Sequence, residues 1–210
     1  MTVQPDDKIL VSGYSSWRNK DLATVARFTS NGAADTTFGA NGRATVDFLG
    51  NGGWDVDVAN SGFVYISGSS GTSTLISNAS VARFTPGGQL DGTFGVAGVA
   101  TFDSGTGDSC WRMGLQPDGK ILVTGNTISG SSSVTANLLT ARFDSAGNVD
   151  SSFGNLGGAI TDFYGNGETS RGVFVQNLRT SEFPDYRIVV AGMAQGSGNS
   201  KYAFVARYLY

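Results

Sequence analysis

One phrase recurs four times along this chain: an apolar run closing on Gly, then a second run closing on Ala-Arg-aromatic. The second element appears as Ala26-Arg27-Phe28, Ala82-Arg83-Phe84, Ala141-Arg142-Phe143 and Ala206-Arg207-Tyr208. Its arginines stand 56, 59 and 65 residues apart. Units this short cannot bury an apolar face alone and must stack on their neighbours. The repeat therefore predicts an all-β chain: a β-propeller of four-stranded antiparallel blades, about four blades to the chain.

Each unit reads as four strands. Strand A leads in, at 54–58, 111–115 and 171–175. Strand B, at 9–13, 63–68, 121–125 and 188–192, is apolar on both faces and ends in Gly. Short runs of that kind are strands buried between neighbours. Strand C carries the Ala-Arg-aromatic ending, and strand D follows at 44–48, 99–103 and 159–163. The first unit holds at most a stub of A at 2–4, and the fourth has A, B and C only. Fourteen strands are expected, in one repeat domain with units of approximately 1–50, 51–107, 108–166 and 167–210.

The turns agree with the strands. Pro5 and Pro117 preset φ in A-to-B turns, and Gly62 or Gly119 supplies the positive φ that follows. In the fourth unit that hairpin gives way to a longer loop at 177–186. The B-to-C loops at 14–21, 69–78, 126–137 and 193–201 vary in length and are rich in Ser, Thr, Gly and Asn. Variable polar loops on a regular scaffold are where binding usually sits.

Composition removes several function classes. The formal net charge is −3 and no basic run exists, so neither nucleic acid nor membrane insertion is expected. The chain has no histidine, which excludes Ser-His-Asp and Cys-His mechanisms and histidine metal sites. It carries no P-loop, dinucleotide fingerprint or CxxC pair, so no cofactor and no metal are expected. Cys110 is the single cysteine; it rules out an intrachain disulfide and reads as a small buried apolar residue. Abundant Gly, Ser, Thr and Asn with little Lys or Glu resembles secreted or surface β-proteins, although no secretory signal precedes Val3.

The segments Val3-Gln4-Pro5-Asp6-Asp7-Lys8-Ile9 and Leu115-Gln116-Pro117-Asp118-Gly119-Lys120-Ile121 carry a more specific likeness. With the Ala-Arg-Phe and Asp-x-x-Phe-Gly elements behind them, they are similar to the delta-60 repeat of bacterial secreted and surface proteins. That resemblance implies β-propeller blades of largely undefined function, and it brings no catalytic residues.

Two residue sets stand out. Arg27, Arg83, Arg142 and Arg207 recur in every unit, which marks them as construction: each is expected to lock its blade by pairing with Asp35, Asp91 or Asp150, or with Asp47, Asp103 or Asp162. The competing reading is a ring of ligand-binding cations. Strand A breaks the repeat instead, with Trp54, Trp111 and Arg171 at one position and Asp55, Arg112 and Gly172 at the next. Trp54, Trp111, Asp55, Asp57, Arg112 and Arg171 form a polar-aromatic set able to grip a sugar or carboxylate at the channel. In the plainer reading the Trp rings fill the channel and the charges pair.

Asp55 and Asp57 lie two apart and share a strand face, a placement compatible with acid/base glycoside chemistry or Ca²⁺ binding. The function expected is a non-enzymatic binding or scaffolding module for a glycan or protein. Its alternative is a carbohydrate-active hydrolase or lyase using the channel-mouth Asp and Arg. The apolar strand at 202–210 is a sticky edge if bare, so a homodimer completing an eight-blade ring is expected.

Overall fold

The computed structural model describes residues 1–18, 20–49, 52–71, 73, 76–128, 136–165, 167–177 and 186–209, the side chains of 17 and 199 excepted. They form four antiparallel sheets taken in chain order. Blade 1 is β1 (Thr2–Val3), β2 (Ile9–Trp17), β3 (Lys20–Phe28) and β4 (Arg43–Val46). Blade 2 is β5 (Gly53–Val58), β6 (Val64–Gly71), β7 (Ser77–Phe84) and β8 (Val99–Phe102). Blade 3 is β9 (Gly107–Leu115), β10 (Ile121–Ile128), β11 (Ala136–Phe143) and β12 (Gly158–Thr161). Blade 4 has three strands, β13 (Glu168–Asn177), β14 (Tyr186–Gln195) and β15 (Lys201–Leu209).

Among the described residues fifteen strands stand where the repeat count predicts fourteen, because Thr2–Val3 of the expected stub pairs as a strand. Thr2 lies opposite Leu10 and Val3 opposite Ile9. Among the described residues the one helical element is a 3-10 turn at Ser197–Asn199. The expected loops at 69–78, 126–137 and 177–186 fall partly outside the described residues, as does Tyr210.

The blades stack face to face in sequence order, with one apolar cluster per junction. Leu10, Val25 and Val46 of blade 1 meet Val56, Val64 and Ile66 of blade 2. Val81 and Phe102 meet Met113 and Val123 at the next junction, and Leu122 and Leu138 meet Ile188 and Val190 at the last. Strand β10 is buried along its whole length: Ile121, Leu122, Val123 and Ile128 pack between the sheets, while Thr124 and Asn126 are held by hydrogen bonds.

The B strands differ from expectation in one respect. They run on past the glycine: β6, β10 and β14 continue for three residues beyond Gly68, Gly125 and Gly192. The glycine marks a β-bulge in the neighbouring A strand. Pairing shifts between Gly53 and Asp55, between Cys110 and Arg112 (opposite Thr124/Gly125), and between Ser170 and Gly172. The extra residues are Trp54, Trp111 and Arg171, one in each of blades 2, 3 and 4.

A bulge pushes the A backbone against its partner strand. A Cβ on Gly125 would collide with the Ser109 carbonyl, and one on Gly192 with the Thr169 carbonyl. On Gly68 it would sit 2.6 Å from the Gly52 oxygen. Gly13 has no such neighbour, since β1 is too short to reach it.

Gly125→Ala should therefore destabilise the fold by roughly 2–3 kcal/mol, the scale of a backbone shift forced by overpacking. Gly13→Ala should stay within about 0.5 kcal/mol. Denaturant midpoints of the two variants check the difference, and equal losses would refute the bulge explanation.

Candidate functional site

The repeated arginines build a latch rather than a cation ring. Arg27 Nε donates to Asp35 Oδ2, Arg83 Nε to Asp91 Oδ2 and Arg142 Nε to Asp150 Oδ2, each at 2.8 Å. The other carboxylate oxygen accepts from the hydroxyl two residues on: Thr37, Thr93 or Ser152, each at 2.6 Å. Each guanidinium also lies over the Phe of Asp-x-x-Phe-Gly, with Phe38 at 4.5 Å, Phe94 at 4.7 Å and Phe153 at 4.8 Å.

The latch reaches across to the next blade. Arg27 Nη1 donates to the Pro86 carbonyl and Arg83 Nη1 to the Ser145 carbonyl, both at 2.8 Å. Asp47 takes another role, pairing with Lys20 at 3.0 Å, and Asp103 caps the Gly105 amide at 2.7 Å. Arg207 is exposed, and none of the ion pairs found among the described residues involves it.

The hydroxyl contacts lead in holding these carboxyls low, with the arginines adding to them. Asp35 is brought from 3.8 to about 2, and Asp91 and Asp150 are lowered by the same contacts. Cys110 lies fully buried, and burial pushes its thiol up to about 12, so it packs as an inert apolar group.

On the A strands two of the three bulges bring their divergent residues together. The Trp54 and Trp111 rings lie 5.1 Å apart, tilted by 52°. Trp111 Nε1 donates to Asn126 Oδ1 at 2.5 Å, which fixes that ring, while Trp54 is 44% exposed. Arg112 Nε donates to the Arg171 carbonyl at 3.1 Å, joining β9 to β13, and Arg171 itself faces solvent.

The two carboxylates of β5 are occupied. Asp55 Oδ2 accepts the Met113 amide at 3.1 Å, and Asp57 accepts the amides of Val58 and Leu115. Burial raises Asp57 above the ordinary carboxylate range. Both side chains thus staple β5 to β9. Among the described residues no cluster of three or more Cys, Asp or Glu could hold a metal ion, and no helix is long and apolar enough to cross a membrane.

Residues 4–38 and 116–153 match the family described as "Domain of unknown function (DUF5122) beta-propeller". The chain is a β-propeller repeat protein. The two matched stretches are the units that hold Gln-Pro-Asp, each running from that turn to the latch Phe. No curated protein matches the propeller. One solved structure similar to it is the crystal structure of a subtype N11 neuraminidase-like protein of A/flat-faced bat/Peru/033/2010 (H18N11), at 11% identity and a TM-score of 0.40. The alignment covers 95% of the propeller and 55% of that neighbour's chain.

Sequence reasoning missed a second repeated element at the A strands. Asp108 and Glu168 each stand three residues before a bulged residue, and both are buried. Asp108 accepts the Ser104 amide at 2.6 Å, and Glu168 accepts the Phe163 amide at 3.4 Å. They brace the loops that feed the inner strands. The spacing Asp108-x-x-Trp111 and Glu168-x-x-Arg171 was the available signal.

Removing one partner of a partly buried, hydrogen-bonded ion pair strands the other, so Arg83→Ala should cost about 2 kcal/mol. Arg207→Ala should cost no more than about 0.5 kcal/mol in the folded monomer. Urea unfolding distinguishes them; an unchanged Arg83→Ala midpoint would remove the latch from the account.

A pH prediction follows from the same carboxyls. Their folded values lie below the unfolded 3.8, so the stability they contribute is complete above it and is lost as pH falls toward about 2. Asp57, Asp108 and Glu168 are raised by burial and titrate above that window. The melting temperature should fall between pH 3.8 and 2, and less steeply in Asp35→Asn. Thermal scans across that range check it, and a rise would overturn it.

Proposed function

We propose that this propeller is a non-enzymatic binding module that holds a glycan against Trp54 and Trp111. The observation that carries the reading is the tilted indole pair: one ring is fixed by Asn126, the other is open to solvent, and both project from bulges. Two non-parallel aromatic faces offer apolar platforms to a sugar ring, and Arg171, exposed at the bulge of the next inner strand, supplies donors for hydroxyl or carboxylate groups. A bulge is a common device for re-aiming a side chain out of a ladder.

Hydrolase or lyase chemistry is the weaker alternative. A general acid or base needs a carboxyl group within reach of substrate, whereas Asp55 and Asp57 are engaged by backbone amides of the adjacent blade. The setting proposed for the module is a secreted or surface protein, on the strength of its low charge and Gly-, Ser- and Thr-rich make-up.

A glycan array followed by tryptophan-fluorescence titration of any hit tests the proposal. Trp54→Ala should weaken binding at least tenfold, about 1.4 kcal/mol, without changing the melting temperature. Unchanged affinity in Trp54→Ala would refute the site. Product formation that vanishes in Asp55→Asn would replace the module with the enzyme.

A further inference from the structure

The chain carries both halves of its own blade-to-blade contact uncovered, one at each end. Inside the molecule every junction uses the same positions. Blade 2 sets Val58, Val64, Ile66, Ala82 and Phe84 against the blade before it. The equivalent residues of blades 3 and 4 do the same, from Leu115 and Ile121 to Ala206 and Tyr208. In blade 1 those positions are Val3, Ile9, Val11, Ala26 and Phe28, placed on one face by the pairs Val3–Ile9, Ile9–Phe28 and Val11–Ala26. No blade covers them among the described residues: Val3 is 57% exposed and Val11 37%.

The opposite half is bare on blade 4. The residues that face forward are Leu10, Ala23 and Val25 in blade 1, and Tyr65, Ala79 and Val81 in blade 2. Their equivalents in blade 4 are Val189, Ala203 and Val205, with Phe174 beside them opposite Val189. Val205 is 70% exposed and Phe174 66%. An apolar sheet face of this kind, lying open, marks an interaction surface.

We infer that a second copy of this chain docks its blade 1 on blade 4, in the register of the internal junctions. The latch supplies an independent polar mark for that register. Arg27 and Arg83 each donate to the carbonyl two residues past the Phe that ends strand C of the next blade, Pro86 and Ser145. The matching residue of blade 1 is Ser30, two past Phe28, and the matching donor of blade 4 is the exposed Arg207.

The turn glycines tell the same story. A Cβ on Gly88 or Gly147 would press on the preceding blade's Phe38 or Phe94 at 2.9 Å, while Gly32, their counterpart, faces open space. Two copies related by a two-fold axis make the contact twice and close a ring of eight blades.

Sedimentation of the 210-residue chain at about 10 µM is the first measurement. The expected species has twice the 21.8 kDa chain mass. Val205→Asp and Val11→Asp should each give folded monomers. Mixing these two variants should restore a dimer, because one of the two contacts is then intact on both sides. The double variant should not rescue either. Arg207→Glu replaces Val205→Asp should that variant unfold.

A folded wild-type monomer would overturn the inference and assign the bare faces to blades of a longer chain. Dimers that persist in both single variants, or variants that fail to rescue one another, would overturn it too.

Discussion

One arginine per unit closes the first three blades, and in blades 1 and 2 it also crosses to the next blade. Its Nε closes a strand-C residue onto the Asp eight positions later, its face covers the Phe that plugs the gap between sheets, and in blades 1 and 2 its Nη1 reaches the next blade's turn. Apolar burial alone would hold the sheets together but would leave them free to slide, because flat faces of Val, Ala and Ile are interchangeable by one residue pair. The directional bonds fix the offset. A charge-assisted bond to a carboxylate already engaged by a hydroxyl and an amide is stiff, and it costs the folded chain little desolvation that is not compensated.

The latch also explains the uneven strength of the repeat. In units 1 and 3 the lysine of Pro-Asp-x-Lys approaches the same carboxylate, Lys8 at 3.5 Å from Asp35 and Lys120 at 3.6 Å from Asp150. Unit 2 lacks both the proline and the lysine. There Phe63 meets the guanidinium instead, its ring 4.9 Å from Arg83 Cζ, in addition to Phe94 at 4.7 Å. A second aromatic face replaces a second cation, so the turn sequence is free to drift while the arginine stays held. The family match includes the two lysine-bearing turns and passes over the phenylalanine one.

The sheets and their order were legible because strand B is apolar on both faces, a pattern only a sandwiched strand sustains, and because the Ala-Arg-aromatic spacing counts the units. The Arg–Asp choice was half legible: Asp35 and Asp47 were equally plausible by sequence, and the selecting feature is the Thr37 hydroxyl, which orients Asp35 toward Arg27. The bulges were not legible. A bulge adds one residue to a ladder without altering its composition, and the glycine that accommodates it read as a strand end. The surroundings of the β5 carboxylate pair were hidden for a related reason. Its shared face suggested a site, but that face looks along the ring into β9, where backbone amides wait.

The bulge therefore divides labour within a single inner strand. Residues at the regular positions of strand A are committed to their neighbours: Val56 and Val58 to the blade behind, Asp55 and Asp57 to the blade ahead. The bulged residue belongs to neither ladder face. In blades 2, 3 and 4 it is Trp, Trp and Arg, and the two Trp rings meet across the junction between their blades. Variation at such positions leaves the strand pairing intact and changes the side chains that the inner strands present. A rigid latch at the outer turns and an unpaired residue at the inner bulges thus place the register of the blades and the side chains presented by the inner strands on different parts of the repeat.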